Sequence, residues 1–314
     1  MIDLIIPYYN NPEGLRRTLN SINHNIFYIT IIDDSSTQAP RNPNADQVFR
    51  YNMNQGPGCA RQWGINKTHN DWLMFLDTGD IFITDASQDK VVKAIKENPD
   101  ANVISFAYIY KDGATKETDN RMHGKVYKRA FLEKYEITFT AESSYLNEDI
   151  GFNRTCRYCT EAAGTPVIFK EIPIIEWIKE EDSLTQKDNG VVLYRDQTHA
   201  LSLNAIHTIE TLRANSINDE AEINQIAIAL YYWFVRTAAE RPQYLIDAWN
   251  GAKIFYNYFK KDIQPNKLLL GNSHLKKCLY YRGKVSFPIN ILKFTDDILH
   301  NENLPDKYLT FSEN

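Results

Sequence analysis

Long apolar runs are missing from this sequence. No stretch approaches the roughly 20 consecutive apolar residues that a membrane-spanning helix needs, and Asp3, Asn10 and Asn11 interrupt the start too early for the apolar core of a signal peptide. The first residues therefore read as a buried strand of a cytoplasmic protein. Cysteine is scarce as well: Cys59, Cys156, Cys159 and Cys278 in a chain of 314 residues do not make a disulfide framework. Cys156 and Cys159 form one C-x-x-C pair, but no second pair exists to close a structural zinc site, so they read as two small apolar residues on a helix. Internal repeats and low-complexity tracts are absent, and a net charge of −5 speaks against a protein that coats nucleic acid. That charge is unevenly spread. From Lys253 to Lys293 the sequence sets Lys253, Lys260, Lys261, Lys267, Lys276, Lys277, Arg282, Lys284 and Lys293 against one acid, Asp262, which makes the tail basic and the remainder acidic.

With 43% hydrophobic and 24% charged residues the composition is that of a globular protein, and the length suggests a catalytic domain with a smaller one appended. The first half alternates β-rich runs (Asp3–Pro7, Ile29–Ile32, Trp72–Leu76, Val103–Tyr110) with helical stretches (Pro12–Ile22, Cys59–Thr68, Ala86–Glu97), the pattern of an α/β domain with a mostly parallel central sheet. Further on, Lys125–Tyr127 reads as a strand, Lys128–Tyr135 and Glu148–Cys159 as helices, and Pro166–Ile178 as β-rich. Helical periodicity then dominates at Ala200–Ala214, Glu220–Glu240 and Gln243–Lys261. Asn189-Gly190 and the polar residues of Asp188–Gln197 mark a boundary. The expected organisation is a catalytic domain over 1–192 and a mainly helical C-terminal domain over 193–314.

Polar residues recur where the apolar runs end, and in an open parallel sheet that rim is where ligands bind. Three such ends carry acids or amides: Tyr9-Asn10, Asp33-Asp34 and Asp77-Thr78-Gly79-Asp80. Acids there can accept hydrogen bonds from a ribose or base, or hold a hard divalent cation through oxygen. Gly79 lets the backbone turn so that Asp77 and Asp80 can converge on magnesium or manganese, which would neutralise charge on a departing diphosphate.

These segments carry a resemblance. Ile5-Ile6-Pro7-Tyr8-Tyr9-Asn10, Ile31-Ile32-Asp33-Asp34-Ser35-Ser36, Asn54-Gln55-Gly56 with Ala60-Arg61 and Gly64, and Phe75-Leu76-Asp77-Thr78-Gly79-Asp80 are similar, in order and spacing, to the motifs of family 2 glycosyltransferases with the GT-A fold. His123-Gly124-Lys125-Val126-Tyr127, Asn147-Glu148-Asp149 and Ser183-Leu184-Thr185 resemble that family's acceptor-side strand, Glu-Asp motif and closing element. The similarity covers roughly residues 1 to 190.

The resemblance implies an inverting transfer from a nucleotide-diphosphate sugar, most commonly a uridine one, to a hydroxyl acceptor, with Mn2+ or Mg2+ as cofactor. It implies that Tyr9 lies against the base, that Asp34 with Asp33 binds base and ribose, and that Arg61 sits near base or diphosphate. Pro7, Asn10, Asn54, Gly56 and Thr78 complete the nucleotide-sugar site. Asp77 and Asp80 would hold the metal, with His199 or His207 as a further ligand, and His123 and Lys125 would touch the acceptor. Asp149 would be the catalytic base and Glu148 would orient it or bind acceptor. A sugar hydroxyl is a poor nucleophile at neutral pH, so a carboxylate must take its proton as the new bond forms. In two places the sequence departs from the family. Gly79 stands where the family commonly has the metal-ligating acid, so either Asp80 takes over or the metal binds more weakly. Ile178-Lys179-Glu180-Glu181-Asp182 replaces the arginines that often precede the closing element, and only Lys179 is a cation there.

The acceptor stays open. Assembly of a surface polysaccharide or lipopolysaccharide, on a glycan or lipid-linked glycan at the inner face of a membrane, is what the resemblance implies first. The interleaved aromatics and cations of Ile254–Lys261 and Lys276–Arg282 suit anionic lipid head groups. They equally suit phosphates and stacked bases, as in a bacteriophage enzyme glycosylating hydroxymethylated DNA bases in a host cytoplasm. A catalytically inactive nucleotide-sugar-binding scaffold is the reading of another class, with Gly79 as its support.

Overall fold

The structure, a computed structural model, describes residues 1–40, 44–110, 113–115, 120–141, 146–178, 191–264, 268, 273–282, 284–285 and 290–309. Lys179–Asp182, Ser183-Leu184-Thr185 and Asn189-Gly190, to which the sequence reading gave roles, lie outside these residues. The chain forms two compact units, Met1–Glu180 and Glu181–Asn314.

The first unit is built on one sheet. Its strands are β1 (Ile2–Tyr8), β2 (Phe27–Asp33), β3 (Gln47–Arg50), β4 (Trp72–Phe75), β5 (Ile81–Phe82), β6 (Val103–Tyr110), β7 (Gly113–Ala114), β8 (Lys125–Lys128) and β9 (Ile168–Glu176). They are ordered β3-β2-β1-β4-β8-β6-β9-β5, with β7 added to β6. Strands β3, β2, β1 and β4 pair in parallel; β8 runs against both β4 and β6, and β9 is parallel to β6. The sheet is therefore mostly parallel, with β8 reversed in its middle and the two-residue strands β5 and β7 reversed beside β9 and β6. Parallel strands covered on both faces read as continuous apolar runs. Leu4, Ile5, Ile6, Ile29, Ile31 and Ile32 are accordingly all fully buried, each contributing roughly 1.5–3 kcal/mol by leaving water.

The helices have local causes. Helix α1 (Pro12–Asn20) starts with Pro12 and is capped by Asn11, whose Oδ1 accepts the Gly14 N–H at 2.8 Å. Helix α2 (Pro57–Lys67) lies so close to β1 that a Cβ on Gly64 would stand 2.2 Å from Ile5 Cγ2. Helix α3 (Asp85–Glu97) opens on a reciprocal Thr84–Ser87 capping box. After the short α4 (Arg129–Lys134), helix α5 (Glu148–Ala162) begins behind Asn147, a left-handed residue with φ 60°. Cys156 and Cys159 are buried on α5 as free thiols.

The second unit is helical: α6 (Val191–Ala214), α7 (Glu220–Glu240), α8 (Leu245–Tyr258), α9 (Ser273–Arg282) and α10 (Ile291–His300). Helix α6 begins well before the expected Ala200. The core of this unit is aromatic, with Phe234, Trp249, Phe255, Tyr256, Phe259 and Phe294 fully buried and Phe234 4.9 Å from Phe294 between ring centroids. Most aromatics of the basic segment thus face inward, and Tyr258 and Tyr280 are the exposed ones. Among the described residues no helix is long and apolar enough to cross a membrane.

Candidate active site

The C-terminal ends of β1, β2 and β4 lie side by side, because β1 pairs in parallel with each of the other two. After β1, Tyr9 is half exposed and Asn10 turns left-handed with φ 48°. Asn10 Oδ1 accepts from both Thr37 N (2.8 Å) and Thr37 Oγ1 (3.0 Å), which ties the β1 end to the loop after β2. Asp33 is fully buried: its Oδ1 accepts the Ser36 N–H and its Oδ2 stands 3.6 Å from Arg50 Nη1. Asp34 holds the next loop, accepting Gln55 N–H and Gly56 N–H at 2.7 Å each, while Asn54 Nδ2 donates to its carbonyl. Burial pushes the Asp34 carboxyl up, more than those two backbone donors hold it down.

The β4 end makes a tight turn, with Asp80 N–H donating to Asp77 O. The Thr18 hydroxyl pins that turn from α1, donating to Asp80 O at 2.8 Å and accepting Gly79 N–H at 2.9 Å. Thr78 Oγ1 donates to Pro7 O and Ile178 N–H to Asp80 Oδ1. Strand β8 then brings in a third group. It pairs antiparallel with β4, Met74 opposite Val126, so three further steps up one strand and down the other bring His123 level with Asp77. His123 Nε2 stands 3.1 Å from Asp80 Oδ2 and 3.9 Å from Asp77 Oδ2, and its ring stacks on Tyr108 with centroids 4.9 Å apart. One ligand atom from each of Asp77, Asp80 and His123 lies within 4.8 Å of the others. Asp80 Oδ2 and both ring nitrogens of His123 are buried without a hydrogen bond of proper alignment. The donor set and these unpartnered atoms fit a divalent cation.

Arg61, from the middle of α2, joins this corner to α5. Its Nη2 donates to Asp77 Oδ1 at 2.7 Å and its Nη1 to Glu148 Oε1 at 2.8 Å, and the guanidinium is almost wholly buried. Burial works against the Asp77 charge, but Arg61 and then His123 outweigh it and hold that carboxyl below the usual range. For Glu148 the balance reverses: burial, and after it the neighbouring Asp149, push the carboxyl up to about 7 against the pull of Arg61. Burial also raises Asp149 and Asp80. Asp149 Oδ1 accepts the Ile150 N–H at 2.8 Å, so the carboxylate sits in the first turn of α5, where the helix dipole favours it. Tyr127 steadies that helix by donating to Asn153 Oδ1, and Asn153 Nδ2 donates to the Asp149 carbonyl.

Lys125 was read as an acceptor contact, but its side chain is buried and Nζ donates to the Arg121 carbonyl, because alternate residues of β8 point to one face and Lys125 shares that of buried Tyr127. His199 and His207, the further metal ligands expected from the sequence, lie on α6 in the second unit; within the first unit the imidazole that meets Asp77 and Asp80 is His123. Arg61 was read as a base or diphosphate contact, and its two ion pairs are with Asp77 and Glu148. Thr18 and Tyr108 had no sequence signal, since their contributions depend on contacts between distant segments.

Residues 3–156 match the family model described as Glycosyl transferase family 2. An uncharacterized glycosyltransferase of Haemophilus influenzae is 31% identical over 111 residues, covering 33% of this chain and 37% of that protein. One of Rickettsia conorii is 33% identical over 106 residues, covering 31% and 17%. The chain thus spans well under half the length of these curated relatives. Among solved structures, S. aureus TarS 1–349 in complex with UDP-GlcNAc is similar with a TM-score of 0.65 at 15% identity, over 95% of this chain and 90% of that one. The mannosyltransferase PcManGT from Pyrobaculum calidifontis, in complex with GDP-Man and Mn2+, has a TM-score of 0.52 at 12% identity, over 96% and 88%. The fold is GT-A with a helical C-terminal extension, and the family match and the relatives support a glycosyltransferase.

Proposed function

We propose that this chain, whose N-terminal half matches family 2 glycosyltransferases, moves a sugar from a nucleotide-diphosphate sugar to a hydroxyl acceptor with inversion. One observation carries the reading: Arg61 links Asp77, at the end of β4, to Glu148, beside Asp149 at the start of α5. Groups suited to a donor diphosphate and groups suited to an incoming hydroxyl are thereby held in one frame. The nucleotide would lie along the ends of β1 and β2, with Tyr9 against the base and Asp34 and the Gln55-Gly56 backbone near base and ribose. A divalent cation, manganese or magnesium, would be held by Asp77 and Asp80, and when bound it supplies positive charge to the leaving diphosphate. Asp149 takes the acceptor proton while the acceptor oxygen bonds to the anomeric carbon and the bond from that carbon to the phosphate oxygen breaks, releasing the nucleoside diphosphate. Glu148, tied to Arg61, orients this end of α5.

TarS complexes with UDP and UDP-GlcNAc and the PcManGT complex with GDP-Man support a nucleotide-sugar donor. A uridine nucleotide is proposed first. For the acceptor, a glycan or lipid-linked glycan of a surface polysaccharide is favoured over DNA, because Phe255, Tyr256 and Phe259 are in the core and are not available to stack on bases. A thermal-shift screen of UDP- and GDP-sugars with and without Mn2+ tests the reading. A ligand bound at 100 times its Kd stabilises the folded state by about 2.7 kcal/mol, so one nucleotide-sugar should raise the melting temperature more with Mn2+ than without. If no nucleotide-sugar shifts it under either condition, the reading fails.

A further inference from the structure

Resting on the glycosyl-transfer reading, we propose that His123 supplies the third protein ligand to the divalent cation, replacing an acid that Gly79 cannot be, and that this nitrogen makes the site prefer manganese to magnesium. The argument begins with the turn. Gly79 has φ 111°, a region that L side chains enter only with strain, and its N–H and C=O are already taken by Thr18 and Arg17. An aspartate cannot stand there without rebuilding the turn. Asp77 and Asp80 alone give two carboxylates, a thin set for an ion that must also hold a diphosphate.

The geometry points to the remaining donor. Two ligand atoms on one ion, each bonded at roughly 2.1 Å, stand no more than about 4.2 Å apart. Nε2 of His123 is 3.1 Å from Asp80 Oδ2 and 3.9 Å from Asp77 Oδ2, within that limit for both. An ordinary ion pair explains the arrangement poorly. Asp80 is 3% exposed; its Oδ2 and His123 Nε2, 3.1 Å apart, are buried without an aligned hydrogen bond, and His123 Nδ1 is buried without one as well. A charged imidazolium would aim Nε2–H out of line at Asp80 Oδ2 and leave Nδ1–H unsatisfied, and a neutral ring protonated on Nδ1 would turn its Nε2 lone pair toward two carboxylates. A cation between them gives Asp80 Oδ2 and His123 Nε2 one shared partner. Tyr108, stacked on the ring, fixes the plane in which Nε2 points.

The donor set then decides which ion fits. Magnesium takes oxygen ligands and keeps much of its water, whereas first-row transition ions gain from an imidazole nitrogen. A site with two carboxylate oxygens and one imidazole nitrogen favours manganese over magnesium, and a site with three carboxylates would not.

The test uses the full chain with UDP and Mn2+, read by electron paramagnetic resonance and not by turnover. Pulsed spectra of the wild type should show coupling of Mn2+ to an imidazole 14N, replaced by 15N coupling when histidine is labelled. His123→Gln, checked for intact folding by circular dichroism, should lose that coupling. It should also bind Mn2+ about tenfold or more weakly, since losing even an outer partner of a metal ligand costs 10–100-fold. Its preference for Mn2+ over Mg2+ in competition should fall by about the same factor. Mn2+ bound without nitrogen coupling, or an unchanged Mn2+/Mg2+ ratio in His123→Gln, overturns the inference and leaves glycosyl transfer standing. A wild type that binds UDP but no Mn2+ overturns both the inference and the metal part of the proposed function.

Discussion

Replacing Glu148 with glutamine should flatten the stability of the N-terminal unit against pH between about 8 and 5.5. Glu148 is only 7% exposed, and burial together with Asp149 raises its carboxyl from 4.5 to about 7. A carboxyl raised on folding binds its proton more tightly in the folded state. The stability it contributes is therefore fully present below 4.5 and is lost as pH rises through about 7. At pH 8 almost nothing of it remains, and lowering the pH to 5.5 recovers about 2 kcal/mol. For a unit of this size that is a rise of roughly 4–8 °C in Tm. Glu148→Gln cannot take up the proton, so its Tm should lack this rise. Differential scanning calorimetry of both proteins at a series of pH values reads the difference directly, and effects of other groups largely cancel in it. Parallel Tm curves would refute the claim that Glu148 is ionised at a cost in the folded protein.

Three other perturbations separate the roles of the neighbouring groups. Asp149→Asn should leave nucleotide-sugar binding within about twofold and lower transfer by about 10²–10⁴, the usual contribution of a general base; comparable turnover in the mutant would remove it from that role. Asp34→Ala should weaken UDP, UDP-glucose and UDP-GlcNAc alike in calorimetric titrations, since it holds the Gln55-Gly56 backbone and not a sugar contact; a loss confined to one sugar would contradict this. Arg61→Met leaves Asp77 and Glu148 without their shared cation and should cost about 3–5 kcal/mol by the rule for breaking a buried ion pair, seen as a large fall in Tm at pH 8. A shift of a degree or less would mean that the two ion pairs contribute nothing net.

Much of the first unit could be read from its residues. Strands β1, β2, β4 and β6 and helices α1 and α3 follow from apolar runs and helical spacing, because central parallel strands are covered on both faces. Strands β3, β5 and β7 were not anticipated: Gln47–Arg50 alternates half-buried and exposed at a sheet edge, and the other two are two residues long. In the site, acids at strand ends were legible because the sheet topology gathers strand ends. His123 was noticed but assigned to the acceptor, since its nearness to Asp77 depends on β8 running backwards beside β4, a register no local pattern announces. Arg61 looked like a helix arginine near a phosphate because α2 has no single apolar face, and only packing shows it turned inward. In the second unit the aromatic-cationic stretch suggested a binding surface, and packing divides it into a core and a solvated rim.

The contact between Gly64 and Ile5 reaches further than packing. One turn along the same helix sits Arg61, so the seat of α2 on β1 sets how far the guanidinium extends toward both carboxylates. A single methyl at position 64 would meet Ile5 Cγ2 at 2.2 Å and act as a wedge, tipping the helix and lengthening that reach. Catalysis would then be detuned from beneath the sheet, by a neutral substitution that touches neither donor nor acceptor.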